Sequence, residues 1–401
     1  MKTAFFVSGL GSGGIYNQTK GLLKLIKNLE LDNNDHICII TDEKKISFDL
    51  GIDDIEIIYF KKTFLKRLMF SLVEIIKKNR FISRELILNP FQNFLKKNKI
   101  DLLIFVQPSF YSLYCDGVQF IMNIWNTEIK KYYNLKEFIN GGYEYQNKII
   151  NFSVEKAFRI IVFTEKNKKD LQEFYNCEPE KIVIQNLTPI LPNVYEKHKD
   201  KDFLKIFNGL NLNSEFQWFF YPAQFWPHKN HKYLIDVMND LIKKNNDKIG
   251  FIFCGPDKGN LNYIKQTIKK ENLAKNIKIL GFITDDEIIS IYKNCVAVIM
   301  PTCLGRSSLP LLESLFFKKK IFYSKGTLDN HLKKYVEEFE LDNPANLSSK
   351  LLEYINKKDK KSYEIDYEDE FNENKFKRNY ENIINDFKKL MRKMEKCLNR
   401  K

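Results

Sequence analysis

Long apolar runs are missing from this sequence: none approaches the ~18 residues that a membrane-spanning helix requires. The opening Met1-Lys-Thr-Ala-Phe-Phe-Val7 turns within a few residues into glycine, which is too short for the apolar core of a secretory signal. A cytoplasmic protein is therefore expected, with room for peripheral contact with the inner face of a membrane. Paired cysteines are missing too. The 7 cysteines form no Cys-x-x-Cys pair, and Cys38, Cys254 and Cys295 sit in or beside apolar runs as small core residues. An odd, scattered set fits a reducing compartment. Histidine is scarce, 5 in all, without close acidic or cysteine partners. His228 and His231 flank Lys229, whose charge repels a cation, so no structural zinc is expected.

What the chain has in excess is positive charge, +14 over 401 residues, which points to an acidic partner such as a nucleotide, a nucleic acid or an anionic membrane. Much of the lysine also reads as plain solvated surface. Hydrophobic content of 44% and aromatic content of 14% support sizeable cores, and the length suggests two domains.

Apolar strand-like runs alternate with helical patterns from end to end, which implies parallel sheets. Ala4–Leu10 reads as a strand, Gly9 to Gly14 as a glycine loop, and a helix is expected from about Asn17 to Leu29. Gly9, Gly11 and Gly14 fit the dinucleotide spacing, so a nicotinamide cofactor is one reading of this loop. Lys61, Lys62, Lys66 and Arg67 alternate with Phe64, Leu65, Leu68, Met69, Leu72 and Val73, a basic amphipathic helix within 61–98. It reads either as an ordinary helix with a solvated lysine face or as a patch that docks on anionic lipid. Prolines and a charged run, Glu196 to Lys201, interrupt the alternation near mid-chain. The expected organisation is a first domain over 1–190, a linker over 191–205, a second domain over 206–370 and a terminal helix over 371–401, with that helix crossing back.

The most informative stretch is Pro301-Thr-Cys-Leu-Gly-Arg-Ser-Ser-Leu-Pro-Leu-Leu-Glu-Ser314. An apolar strand, Val296 to Met300, runs into a small polar loop, Gly305 to Ser308. Ser308 is a helix N-cap and Pro310 suits the first turn, where its missing N–H is not needed. A strand, tight loop and helix start present backbone N–H groups to an anion. Glu313, one turn on, is placed to receive sugar hydroxyls beside that anion. A plain capped strand-to-helix turn is the alternative. In the matching loop after the strand ending at Tyr221, Lys229 is a cation and Asn230 a helix cap.

These stretches resemble the retaining glycosyltransferases of glycosyltransferase family 4, which have the GT-B fold. The family's donor motif has two glutamates separated by seven residues with Gly-Leu-Pro between. Leu309, Pro310 and Glu313 match, and Gly305 replaces the first glutamate. The family's diphosphate-binding arginine and lysine fall on Gln224 and Lys229, with Arg306 available as a second cation. Ile124-Trp-Asn-Thr-Glu128 resembles a segment near the reacting sugar, with Asn126 for an aspartate and Ile129 for a histidine, unless Glu128 substitutes. The resemblance implies an α/β GT-B chain, two Rossmann-like domains with parallel sheets facing a cleft. It implies transfer of a hexose from a nucleotide-diphosphate sugar to a glycan or lipid-linked acceptor in surface polysaccharide or lipopolysaccharide synthesis. It gives catalytic roles to Asn126, Lys229 and Glu313. Donor contacts fall on Gly13, Gly14, Gln224, Lys229, Gly255, Phe282, Ile283, Gly305, Arg306, Ser307, Ser308, Leu309 and Glu313. No Asp-x-Asp stands at a strand end, so no metal and no separate cofactor are expected, and no nucleic acid. A catalytically inactive nucleotide-sugar-binding protein and a nucleotide-sugar 2-epimerase are the alternatives; the latter needs paired carboxylates and a histidine at the cleft, which the sequence does not offer.

Overall fold

The computed structural model describes residues 1–8, 14–32, 34–43, 55–66, 68–71, 89–135, 138–139, 141–185, 187, 191–305, 308–357 and 373–398. Among these residues, thirteen strands form two sheets. The first holds β1 (Lys2–Val7), β2 (His36–Thr41), β3 (Glu56–Tyr59), β4 (Leu102–Phe105), β5 (Gln119–Asn123), β6 (Arg159–Val162) and β7 (Ile182–Ile184), in the order β3-β2-β1-β4-β5-β6-β7. The second holds β8 (Gln217–Pro222), β9 (Ile249–Cys254), β10 (Ile277–Gly281), β11 (Val298–Met300), β12 (Ile321–Ser324) and β13 (Glu337–Phe339), in the order β10-β9-β8-β11-β12-β13. Neighbouring strands pair in parallel in both sheets. This is the expected pair of doubly wound α/β lobes.

The reason is legible strand by strand. In β1, Phe5 and Val7 pack into one apolar cluster and Ala4 and Phe6 into another, so both faces are covered. Only a strand layered between helices buries alternate residues on both sides, which is why these strands are apolar throughout. The terminal helix Glu373–Leu398 covers one face of the first sheet with Phe376, Tyr380, Ile383, Ile384 and Phe387. The Tyr380 hydroxyl donates to Asn123 Oδ1 at 3.1 Å, and Lys388 pairs with Asp32 at 3.0 Å and with Asp35.

Several local readings shift. The first helix is Gly14–Ile26, three residues earlier than expected. The segment between the lobes is helical, Leu191–His198 and Phe203–Asn208, with Leu191 and Phe203 buried in the second lobe's core. Within 61–98, residues 64–66 and 68–71 are helical and a separate helix spans Pro90–Lys97. Asn89 caps it, accepting from the Phe91 and Gln92 amides at 3.1 Å each, and Pro90 sits in the first turn. Phe64 and Leu65 are 75% and 71% exposed. Among the described residues no helix is long and apolar enough to cross a membrane.

Candidate active site

All strands of the second sheet are parallel, so their C-terminal ends share one edge. The winding reverses between β8 and β11, the switch point at which parallel sheets bind ligands beyond their strand ends. The β8 loop carries Gln224, Trp226, His228 and Lys229; the β11 loop carries Thr302 to Ser308. Backbone contacts lock them together. The Cys303 amide donates to the His228 carbonyl at 2.8 Å, and the Tyr221 hydroxyl holds the Lys229 carbonyl at 2.7 Å. From β12, Ser324 Oγ donates to the Thr302 carbonyl at 2.5 Å and the Tyr323 hydroxyl to the Gly305 carbonyl at 2.9 Å. Gly305 has φ +110°, in the region that favours glycine, although a Cβ there would meet nothing within 4 Å. Gly255, at the end of β9, is required for space, since a Cβ would lie 2.8 Å from the Ala223 carbonyl oxygen.

The helix after the β11 loop, Leu309–Phe316, begins as its sequence demands. Ser308 is the N-cap, its hydroxyl accepting from the Leu311 amide at 3.3 Å, and Pro310 lies in the first turn. Asn230 behaves differently from the cap expected of it. It adopts a left-handed conformation, φ 53° and ψ 42°, with no side-chain cap bond, and so turns the chain from Lys229 into helix His231–Lys243.

The first lobe contributes the loop after β5. Trp125 Nε1 donates to the Val106 carbonyl at 3.1 Å, and Asn126 Oδ1 accepts the Glu128 amide at 2.8 Å. Behind them lies a buried polar network. Thr127 Oγ1 donates to Asp170 Oδ2 and Asn167 Nδ2 donates to Thr127 Oγ1, both at 2.8 Å; Lys131 Nζ reaches Asp170 Oδ1 at 2.9 Å.

Between the lobes is a cavity of about 270 Å³. The first lobe lines it with Trp125, Asn126 and Glu128, and the second with Trp226, His228, Lys229, Leu304 and Gly305. The lobes touch directly here: the Gly305 amide donates to Glu128 Oε2 at 3.2 Å, and Leu304 is buried in the first lobe's core. Lys166 of the first lobe also donates to the Leu328 carbonyl at 2.6 Å.

Of the residues expected at the site, Asn126, Lys229 and Gly305 meet at this cavity, with Ser308 and Leu309 opening the adjoining helix. Gln224, in the position where a diphosphate-binding arginine was expected, accepts the Trp226 indole N–H at 2.9 Å and so orients a cavity wall. Glu313 is buried rather than cavity-lining; helix geometry turns it inward, and the Tyr292 hydroxyl donates to its Oε2 at 2.9 Å. Burial pushes its carboxyl up to about 7, against the pull of that hydrogen bond. Phe282 is 79% exposed at the end of β10 and Ile283 half-buried beside it. Gly14 opens the first helix. Gly13, Arg306 and Ser307 lie outside the described residues, as do Gly9 and Gly11 on which the nicotinamide reading rested. Trp125 and Trp226 were not expected at the site; aromatic residues in loops that directly follow apolar strands were the available signal.

Two further groups mark the site's edges. Burial first, and Glu128 in addition, raise the Tyr323 phenol well above its usual range, with Ser308 pulling the other way. His231 is enclosed by Tyr221, Phe225 and Phe253, with ring centroids at 4.8, 4.4 and 5.1 Å. Burial holds its imidazole down to about 3, the Ala223 backbone offsetting only part of the shift.

Residues 202–367 match the model of the family described as glycosyl transferases group 1. No curated protein matches the chain in sequence. Among solved structures, the chain is similar to Anabaena Alr3699/HepE, solved in complex with UDP and glucose, at TM-score 0.71 and 12% identity, covering 96% of this chain and 99% of that one. It is similar to WaaG, a glycosyltransferase involved in lipopolysaccharide biosynthesis, at TM-score 0.63 and 12% identity, over 95% of each chain. A glycosyltransferase from Rickettsia africae ESF-5 aligns at TM-score 0.60 and 16% identity, over 96% and 94%. The fold is GT-B: two Rossmann-like lobes with parallel sheets facing a cleft.

Proposed function

We propose that this protein is a glycosyltransferase that moves a hexose from a nucleotide-diphosphate sugar to a hydroxyl of a glycan or lipid-linked acceptor, with retention at the anomeric carbon. The observation that carries the reading is one cavity lined by both lobes, with Lys229 and the Gly305 loop on one wall and Asn126 on the other. The group 1 match over the second lobe supports the same assignment. In this reading the bond from the anomeric carbon to the phosphate oxygen breaks while the acceptor oxygen bonds that carbon on the same face. The acceptor proton passes to the departing phosphate. Lys229 and the amides that open helix Leu309–Phe316 neutralise the charge that grows on the leaving group, without a metal. Asn126, its carbonyl oxygen occupied by the Glu128 amide, offers its amide donors to the sugar or phosphate.

The acceptor side is assigned to the first lobe. There the exposed Phe64, Leu65 and Leu68, beside Lys61, Lys62 and Lys66, suit the surface of an anionic membrane, which would place the enzyme on the inner face. Surface polysaccharide or lipopolysaccharide synthesis is the corresponding setting.

The test is release of nucleoside diphosphate from a panel of sugar nucleotides, with and without glycan acceptors and with chelator added. Turnover that persists in chelator, with product of unchanged anomeric configuration by NMR, is expected. Tight nucleotide binding without any turnover would instead identify a binding protein, the reading to which the glycine at 305 lends weight.

A further inference from the structure

We infer that a second cavity, in the first lobe, takes one anionic phospholipid, its hydrocarbon against aromatic rings and its phosphate on Lys66. The inference rests on the reading of Phe64, Leu65 and Leu68 as a membrane contact and adds to it a pocket for a single lipid. The cavity has a volume of about 370 Å³. Phe70, Phe110, Tyr111 and Tyr114 line it, with Lys62 and Lys66 beside them. It shares no described lining residue with the cavity between the lobes.

The walls and the charge both select the occupant. The ring centroid of Phe70 lies 4.5 Å from that of Tyr114, 5.9 Å from Tyr111 and 6.3 Å from Phe110, so the rings form one cluster. Such a cluster offers faces and edges to an apolar body. No carboxylate lines the cavity among the described residues. The two lysines differ in what they already hold. Lys62 Nζ pairs with Asp42 Oδ2 at 2.6 Å. Lys66 Nζ has only the Lys61 carbonyl at 3.0 Å and the Phe60 ring, centroid at 4.4 Å, and meets no carboxylate among the described residues. It is half-buried, and that burial, with Lys61 after it, lowers the pKa of its ammonium below the usual lysine value. An ammonium partly withdrawn from water, lacking an anion and set beside apolar walls, is complementary to a phosphodiester that carries hydrocarbon.

The position suits a leaflet. In the helical residues 64–66 and 68–71, Phe64, Leu65 and Leu68 are 75%, 71% and 46% exposed, whereas Lys66 and Phe70, four positions apart, line the cavity. The apolar residues that would enter a bilayer therefore stand on the same helical segment as the pocket that would hold one of its lipids. Lys62 follows β3 and Phe110–Tyr114 follows β4, so the cavity lies at the same edge of the first sheet as the loop after β5, the edge that faces the cleft.

The competing explanation is that the lysines attract any anionic surface and the cavity holds nothing. A lipid without a bilayer separates the two. Dihexanoyl-phosphatidylglycerol, kept below its micellar concentration, would be titrated into wild type, Lys66→Gln, Ser71→Trp and the double variant Phe64→Asp with Leu65→Asp, with dihexanoyl-phosphatidylcholine and inorganic phosphate as comparisons. Ser71 lines the cavity and is exposed, so tryptophan there fills the space without removing a charge, and circular dichroism checks the fold. We expect wild type to bind the phosphatidylglycerol at least tenfold more tightly than either comparison. Lys66→Gln and Ser71→Trp should each weaken it about tenfold or more, the scale of one charge-assisted contact. The double variant should bind it within about twofold of wild type. Equal binding of the two lipids, wild-type affinity in folded Ser71→Trp, or no binding of the soluble lipid would overturn the inference. Loss of vesicle sedimentation in the double variant, with soluble-lipid binding kept, would support pocket and surface as separate parts. Release of nucleoside diphosphate from sugar nucleotides is read independently, so failure here leaves the transferase reading standing, and a protein that binds the lipid without turnover keeps the pocket and loses the enzyme.

Discussion

The loop after β5 and the loop after β11 do the same job on opposite walls of one cavity and are built by opposite means. The β11 loop is assembled locally. A buried strand ends at Pro301, Gly305 supplies a left-handed turn, Ser308 caps and Pro310 starts the helix, all within ten residues. The β5 loop is assembled from afar. Thr127 is held by Asp170 and Asn167, 43 and 40 positions away, on a helix that follows the next strand. Local devices leave a signature in sequence order, whereas a network closed by tertiary packing leaves isolated polar residues that look like surface. The difference also separates the two glutamates. Glu313 sits on the helix of the locally built loop yet is buried against Tyr292, and Glu128, on the remotely held loop, lines the cavity.

The sharpest way to break this picture is to remove the cation. Lys229→Ala should lower kcat by about 10²-fold or more, the usual loss for one transition-state contact, with folding intact by circular dichroism. A wild-type rate would remove Lys229 from the site and leave the β11 loop without its partner. Next comes the remote network. Asp170→Ala takes from the buried Thr127 hydroxyl its acceptor and from Lys131 its ion pair, and should cost about 2 kcal/mol in urea unfolding, together with weaker donor binding. Unchanged stability would mean that the β5 loop is held by something other than this network.

The pH dependence sharpens the contrast between carboxylates. In the folded state the Glu313 carboxyl is raised to about 7 from its ordinary 4.5. The fold therefore favours the protonated form. That contribution is complete below pH 4.5 and is lost as pH rises through about 7. His231 works in the other direction, lowered to about 3 from 6.5, so its contribution is present above pH 6.5 and is lost as pH falls toward 3. Melting temperatures of Glu313→Gln should therefore fall less than those of wild type between about pH 5 and 8, and those of His231→Phe less between about pH 6.5 and 4. Parallel curves would show that these burials carry no linkage. The smallest effect is expected at the exposed surface of Phe64, Leu65 and Leu68. Phe64→Asp with Leu65→Asp should reduce sedimentation with phosphatidylglycerol vesicles and leave turnover on a water-borne acceptor within about twofold. Equal sedimentation of variant and wild type would remove that surface.

Much of the fold was open to reading because parallel strands buried on both faces must be apolar throughout, and such runs stand out between helices. The Ser308 cap and the Pro310 first turn fall where the sequence placed them. Packing outweighed local preference at Leu191 and Phe203, whose burial draws a charged stretch into helices against the second lobe. Asn230 misled because a residue type suited to capping is equally suited to the left-handed turn it makes.

Composition and local pattern alone determined two α/β lobes, a capped helix behind the β11 loop and a lysine on the β8 loop, since each depends on neighbours a few residues apart. Which side chains share the cleft was decided only by the tertiary structure. The amide of Gly305 and the carboxylate of Glu128 are 177 positions apart and meet because two sheet edges face one another. No local periodicity records that encounter, because the energy that enforces it is spread over the cores of both lobes.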